Sequence, residues 1–239
     1  MKKFTIALLV SVVTIGFISC KKEVTGSGPL VTESRTVVGT FTEIDLSLYG
    51  NVYYTNDTAR SIQVTGQQNV LDILETFVSG NKLVIKFKSG NDYRTSDDIR
   101  IRISAPLITS FVTNTSGSIY ALNGLQAPSI YTRVNGSGSI SLASVTSNYF
   151  EAYTTGSGDI SVNQGVTSSS KLKSIGSGQI DVSTMLSHSV NAKTSGSGYI
   201  KTHARDQLDA TIEGTGSIYY HGNPNVSAHV SGNGRIIRF

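Results

Sequence analysis

Two carboxylates are spaced as an acid–base pair could be. Asp159 directly follows a Gly-Ser-Gly triplet. Asp181 comes after the next such triplet and lies two positions further along its repeat than Asp159 does. If the triplets stack on neighbouring strands, the two Cα atoms lie about 8 Å apart, which is within the carboxylate separation of inverting glycosidases. The flanking residues are Ser, Gln and Thr rather than an apolar pocket. We therefore expect solvated carboxylates, and we keep a polysaccharide-cleaving enzyme as an alternative.

Two histidines share one position of the repeat. His203 and His221 each lie seven residues after the first Gly of a triplet. Stacked strands would bring their rings to about 5 Å, where two imidazoles could share a metal ion. His188 and Asp206 are the only candidates for a third metal ligand. We therefore predict no metal site and no cofactor.

Exposed tyrosines and lysines are the candidate ligand-binding residues. Tyr131, Tyr153, Tyr199, Lys173 and Lys193 occupy the polar positions of an apolar/polar alternation. Aromatic rings beside hydrogen-bonding groups on a long ridged surface suit an extended sugar chain or a partner strand. Tyrosine also has high β-propensity, so its presence on a strand needs no ligand to explain it.

A repeat of about 20 residues must position all of these side chains. Gly-x-Gly-x-Ile recurs through the second half of the chain, and the period is shown by the isoleucines at 119, 140, 160, 180, 200, 218 and 236. A fixed period of this length is typical of a solenoid. The same motif does not suit a phosphate loop, because no Lys follows the glycines and no helix opens after them. Carboxylates do not accumulate at the position of Asp159, so a calcium-binding β-roll is not expected either.

The residues between the glycines alternate with a period of two. Ile130, Thr132 and Val134 take inward positions, while Tyr131 and Arg133 take outward ones, and later copies follow the same pattern. Such alternation predicts half-buried strands, and β-branched inward residues disfavour helix. The glycines supply a sharp corner, and the serines between them could pass hydrogen bonds from coil to coil. The sequence therefore predicts an all-β fold, a parallel β-helix.

The front half of the chain is less regular. Residues 35–106 are expected to form irregular coils with longer excursions, and residues 107–239 the regular coils of a single β-helix domain. Residues 69–77 carry apolar residues at helical spacing with Asn69 as a candidate N-cap, which predicts one short helix. A solenoid has exposed ends, so the irregular front half is expected to cap one of them.

The chain begins like a secreted lipoprotein. Residues 1–19 combine Lys2 and Lys3 with an apolar run from Phe4 to Phe17, which is the pattern of a signal peptide. The single cysteine of the chain, Cys20, follows at once and resembles the acylated residue of a bacterial lipobox. We therefore predict lipidation of Cys20 and a flexible tether over residues 20–34.

Composition narrows the class of protein. Only 15% of the 239 residues are charged, and Trp is absent, which favours an extracytoplasmic all-β protein over a cytosolic α/β enzyme. The formal net charge of +4 includes Lys2 and Lys3 of the leader. The remainder is too small to argue for nucleic acid as a partner.

These features together resemble a known family. The leader with its cysteine, Gly50-Asn51-Val52 and the Ser-Gly-Ser-Gly-x-Ile coils are similar to the auto-transporter adhesin head GIN domains of Gram-negative envelopes. The resemblance covers roughly residues 38–220. It implies a right-handed β-helix and a role in surface adhesion, and it brings no catalytic residues.

The sequence therefore predicts a non-enzymatic lipoprotein of the Gram-negative envelope, held in the outer membrane through Cys20. Its β-helix would display a binding or adhesive surface for a glycan or another envelope protein. The alternatives are the polysaccharide-active enzyme and a purely structural envelope element. The sequence leaves the oligomeric state open.

Overall fold

The protein is a β-solenoid of about six turns with one short helix. The computed structural model describes residues 22–94 and 99–239, so Cys20 and the leader lie outside the described residues. No helix in these two ranges is long and apolar enough to cross a lipid bilayer.

The strands and the helix follow the chain in this order: β1 (Lys22–Thr25), β2 (Leu30–Ser34), β3 (Glu43–Ser47), β4 (Asn51–Asn56), β5 (Ser61–Gln67), α1 (Gln68–Leu71), β6 (Leu74–Ser79), β7 (Lys82–Phe87), β8 (Asn91–Arg94), β9 (Arg100–Ala105), β10 (Ser110–Thr113), β11 (Ser118–Val134), β12 (Ser139–Gly156), β13 (Asp159–Val162), β14 (Gly165–Gly176), β15 (Ile180–Gly196), β16 (Tyr199–Gly214), β17 (Ser217–His221), β18 (Asn225–Gly232) and β19 (Arg235–Arg238).

The isoleucines of the repeat form one interior column. Parallel pairing places Ile140 between Ile119 and Ile160, and the register continues through Ile180 and Ile200. All five side chains are buried to within 1% of complete burial. The predicted solenoid, with its coils in register, is therefore confirmed.

The two glycines of a corner are needed for different reasons. Gly176 has φ +107°, in the left-handed region that L-residues with a side chain rarely adopt. A β-carbon on Gly178 would lie 2.3 Å from the carbonyl oxygen of Gly158, the equivalent residue of the preceding coil. A β-carbon on Gly176 would also lie 2.5 Å from the carbonyl oxygen of Gly156. The first glycine therefore allows the chain to turn, and both glycines allow the coils to approach.

Buried hydroxyls close the inside of the corners. Thr154 Oγ1 donates to the carbonyl of Gly158 at 2.8 Å, and Ser174 Oγ donates to the carbonyl of Gly178 at 2.7 Å. The serine ladder predicted on the outside is much weaker. Among the described residues its one rung joins Ser177 Oγ to Ser157 Oγ at 3.1 Å, because most of these exposed hydroxyls face solvent.

The front half does not follow the chain order of the coils. Strand β3 pairs with β7 on one side and β10 on the other, and β4 lies likewise between β9 and β11. The coil of β3 and β4 comes first in the sequence. Along the solenoid axis it is the second coil, because β7 and β9 lie outside it. Strands β5 and β6 then run antiparallel to β9 and β7 and cover this end of the solenoid.

The segment predicted to be a flexible tether contains two strands. Residues 22–25 form β1, which pairs with β8, and residues 30–34 form β2, which pairs antiparallel with β5. The prediction rested on the Gly-Ser-Gly triplet at 26–28. It overlooked that the outer edge of β5 offers unpaired backbone groups to the alternating segment Leu30–Ser34.

The helix is shorter than predicted. It spans Gln68–Leu71, and its N-cap is Gln67 rather than Asn69. Phe77 belongs to strand β6, where it pairs with Val84 of β7. The apolar residues at helical spacing are divided between one helical turn and a hairpin, because pairing with β7 satisfies more backbone groups than continuing the helix.

The last coil is paired on one side. Strand β18 pairs with β16, and β19 pairs with β17. All of β18 is exposed, including the inward-pointing Val226 (36%) and Val230 (44%). In the described chain no further strand covers this end, in contrast to the end covered by the front half.

Alanine at Gly178 tests the corner geometry. We expect Gly178→Ala to lower the free energy of unfolding by about 1–3 kcal/mol, the usual cost of forcing atoms into a packed site, because backbone of the neighbouring coil must move. Gly124→Ala is the control, since its β-carbon would meet only Ser144 Cβ at 3.9 Å. Urea unfolding followed by circular dichroism measures both, and equal midpoints for the two variants would contradict the role given to Gly178.

Candidate functional site

Four of the predicted ligand-binding residues lie together on one face. We call the outward side chains of the strand stretches before the glycine corners the upstream face. Register aligns Arg133, Tyr153, Lys173 and Lys193 in one row across β11, β12, β14 and β15. Tyr131 lies two residues before Arg133 in the adjacent row, so these residues form a continuous surface.

Tyr199 lies on a different face. It follows the corner formed by Gly196 and Gly198, on what we call the downstream face, the outward side chains of the stretches after the corners. Its ring centroid lies 5.2 Å from Lys201 Nζ and 6.0 Å from the ring of Tyr219. The five predicted residues therefore form two separate surfaces.

Tyr153 is held between two cations. The guanidinium of Arg133 lies 4.4 Å from the centroid of its ring, and Nζ of Lys173 lies 5.4 Å from it. The two cations come from the coils on either side of Tyr153, so they cover both faces of the ring. Tyr153 therefore holds the two cations in line with each other. Because both faces of its ring are covered, a ligand can contact little more than the edge of the ring.

Lys193 is occupied by an ion pair. Its Nζ lies 2.6 Å from a carboxylate oxygen of Glu213, which also accepts a hydrogen bond from Ser195. These donors lower the pKa of Glu213, with the bond from Lys193 contributing most. A ligand would have to compete with Glu213 for Lys193.

Tyr131 is the exposed aromatic residue of this surface. Its side chain is 43% exposed, and its ring lies 6.0 Å from that of Tyr149. The hydroxyl of Tyr149 donates to Glu151 Oε2 at 3.0 Å, and burial together with this bond raises the pKa of Tyr149 to about 12. The sequence analysis did not single out Tyr149, although its outward position could be read from the alternation.

Tyr131 stands over an open depression of about 660 Å³. Its charged groups are matched within the protein. Lys82 Nζ lies 2.7 Å from Glu43 Oε1, and this ion pair raises the pKa of Lys82. The lining residues are Glu43, Asp45, Asn81, Lys82, Thr109, Ser110, Val112, Asn114, Tyr131, Thr132, Arg133, Asn135, Glu151 and Tyr153.

Side-chain amides connect the floor of this depression. Asn135 Nδ2 donates to Asn114 Oδ1 at 2.7 Å, and Asn114 Nδ2 donates to Asp45 Oδ1 at 2.8 Å. Glu43, Asp45 and Lys82 were not predicted, because the sequence does not reveal that β3 and β7 stack beside β10. The surface is thus polar but electrically balanced.

The carboxylate pair is arranged as its spacing predicts. Asp181 lies opposite Ser161, two residues beyond Asp159 on the neighbouring strand. Asp159 accepts a hydrogen bond from the backbone N–H of Gln179, while Asp181 accepts two from Ser183 and lies 3.6 Å from Lys201 Nζ. Each carboxylate has its own donors, and nothing in this geometry favours catalysis.

The histidines stack as predicted. The rings of His203 and His221 are 5.6 Å apart, and Phe239 packs on His221 at 4.6 Å. His188 instead pairs with Asp206 at 3.3 Å. Residues 22–94 and 99–239 contain no group of three or more His, Cys, Asp or Glu that could hold a metal ion.

The stacked histidines generate a pH prediction. Burial and then the neighbouring His221 lower the pKa of His203 from its usual 6.5. The folded state therefore binds this proton less tightly than the unfolded state, and stability falls as the pH drops below about 6.5. We expect the melting temperature to fall between pH 7 and pH 5, with a smaller fall in His203→Asn.

His221→Asn removes only the second cause and should give an intermediate slope. Thermal unfolding followed by circular dichroism over this pH range measures all three proteins. An unchanged slope in His203→Asn would show that other groups cause the loss.

The fold is similar to those of solved bacterial proteins. A crystal structure from Bacteroides fragilis, described as a "putative adhesin", is 27% identical, with a TM-score of 0.85 over 90% of this chain and 100% of that chain. One from Parabacteroides distasonis, described as a "putative lipid binding protein", is 24% identical, with a TM-score of 0.79 over 91% of this chain and 100% of that chain. The second likeness shows the fold alone. No curated protein matches the chain.

The family comparison covers most of the solenoid. The model of the family "Putative auto-transporter adhesin, head GIN domain" matches residues 40–224. This match and the Bacteroides fragilis structure support an adhesive role at the cell envelope or surface. With more than half of its residues matched, the chain belongs to the auto-transporter adhesin, head GIN domain family.

Proposed function

We propose that this protein is an adhesive module of the cell envelope that binds a neutral glycan chain in the depression beneath Tyr131. The observation that carries the proposal is the exposed Tyr131 ring at a polar depression in which Lys82 and Glu43 form an ion pair with each other.

The chemistry of the depression suits sugar rather than an ion. A pyranose presents C–H groups to an aromatic face and hydroxyls to its sides. Around Tyr131 the amides of Asn114 and Asn135 and the carboxylate of Glu151 supply donors and acceptors. The ion pair of Lys82 with Glu43 leaves little net charge to attract an anion.

The shape of the surface suits a chain rather than a single sugar. The depression is open and lies along a ladder of strands spaced by about 4.8 Å. A polymer lying across the strands can contact several coils at once, so weak contacts add up along its length. This is the behaviour that adhesion to a polysaccharide requires.

We place the protein in the outer membrane of a Gram-negative bacterium, anchored through an acylated Cys20. The basic and apolar leader before this cysteine supports the placement. Strand β1 begins at Lys22, two residues after Cys20. An anchor at Cys20 would therefore hold the solenoid close to the membrane rather than at the end of a long tether.

Substitution of Cys20 tests the anchor. In Gram-negative cells the wild-type chain is expected in the membrane fraction with incorporated radiolabelled palmitate. Cys20→Ser should carry no label and move to the soluble fraction, because the thiol that accepts the lipid is gone. A Cys20→Ser chain that stays labelled and membrane-bound would refute the anchor.

Substitution of Tyr131 tests the binding surface. On an array of neutral oligosaccharides, the Cys20→Ser chain should bind a subset, and adding Tyr131→Ala should weaken that binding at least tenfold, about 1.4 kcal/mol. Tyr219→Ala is the matched control, since this ring lies on the downstream face. Binding lost in the control but kept in Tyr131→Ala would overturn the assignment.

The same array separates the alternatives. Product formation that disappears in Asp159→Asn would establish an enzyme. Binding to an envelope protein without any bound glycan would point to a protein partner, and no binding at all to a structural role.

A further inference from the structure

The downstream face of the front half carries a second open depression, also of about 660 Å³, lined by strands β4, β5 and β9. We propose that it binds a polyanionic glycan, one that bears carboxylate or sulfate groups. This site shares no residue with the depression beneath Tyr131. The inference therefore does not rest on the function proposed above.

Two unpaired arginines supply the charge. Arg100 and Arg102 alternate on β9, are exposed, and point to the same side about 6.8 Å apart. In the described ranges neither side chain forms an ion pair or a hydrogen bond. The solenoid lysines Lys82, Lys171 and Lys201, in contrast, each pair with a carboxylate on a neighbouring strand.

Among the described residues that line the site, two guanidinium groups face a single carboxylate. Among the described lining residues Asp57 is the only carboxylate, and its Oδ1 already accepts bonds from Ala59 N–H and the Thr58 hydroxyl. A guanidinium presents a planar fork of donors that binds carboxylate or sulfate oxygens in pairs. The excess positive charge therefore selects an anionic ligand, unlike the balanced depression on the upstream face.

Aromatic rings beside the arginines identify the ligand as a sugar rather than a small anion. Register aligns Arg102, Tyr53 and Tyr120 in one row, and the two tyrosine rings stack at 5.3 Å with planes inclined by 16°. The next residue of the row is the small Ser141, which leaves the outer face of Tyr120 accessible. Rings and cations lie within two strand steps, about 10 Å, so one glycan segment can contact both.

An apolar rim completes the recognition surface. Leu122 is 55% exposed at the edge of the depression, and Gln63 lies opposite Arg102 on β5. The site thus combines cations, an amide, an aromatic platform and an apolar contact. This mixture suits an acidic sugar better than inorganic phosphate, which would use the cations alone.

Three dextrans of equal length test the proposal. The full chain is immobilised in detergent, and binding of dextran sulfate, carboxymethyl dextran and uncharged dextran is measured by surface plasmon resonance at fixed salt. We expect at least one charged dextran to bind at least tenfold more tightly than the uncharged one, whose binding, if any, belongs to the depression beneath Tyr131. Arg100→Gln with Arg102→Gln should weaken charged-dextran binding at least tenfold, and Tyr120→Ala several-fold.

The control removes the same charge elsewhere. Arg235→Gln with Arg238→Gln also loses two positive charges, but from β19 at the far end of the solenoid, and should bind like the wild type. Equal losses in the two double variants would show unspecific attraction and overturn the proposal. So would the absence of binding to both charged dextrans.

Two further variants keep the result interpretable. Arg102→Lys preserves the charge but not the planar fork, so it should bind several-fold more weakly even if the double variant were to misfold. Binding as tight as the wild type in Arg102→Lys would contradict the paired contact. Tyr219→Ala, which removes an aromatic ring outside both depressions, should leave charged-dextran binding unchanged and is the matched control for Tyr120→Ala.

Discussion

Glycines of successive corners approach each other too closely to leave room for a side chain. At each regular corner a β-carbon on the second glycine would lie 2.1–2.4 Å from the carbonyl oxygen of the equivalent glycine one coil earlier. Only a residue without a side chain allows this approach. The contact sets the axial register of the coils, and every row of side chains inside and outside the solenoid follows from that register.

A fixed register makes each outward row a ladder of neighbours about 4.8 Å apart. Opposite charges in one row then form ion pairs, as Lys171 and Glu151 do, and an aromatic residue between two cations is clamped, as Tyr153 is. Side chains that satisfy one another in this way stiffen the surface and are withdrawn from ligands. Tyr131 upstream and the two arginines of β9 downstream form no ion pair within the described residues and line the two depressions, and recognition is expected there.

Both depressions form where the irregular front half meets the regular coils. A uniform repeat produces flat ladders with little relief, whereas the front half adds the parallel strand β7 beside β3 and the antiparallel strand β5 beside β9. The two faces consequently differ in charge, balanced upstream and basic downstream. One scaffold can therefore present two chemically distinct surfaces, in keeping with a family described by adhesion rather than by a reaction.

The sequence by itself determined the regular coils. Between the glycine corners apolar and polar residues alternate, and each copy of the repeat shows this pattern within its own few residues. The interior isoleucines, the stacked histidines and the spacing of Asp159 and Asp181 were all predictable for that reason. Only the tertiary structure decided the path of the front half, the strands in place of a tether, and the separation of Tyr199 from Tyr131. These depend on which distant strands pair, and backbone hydrogen bonding between them carries no signature in the local sequence.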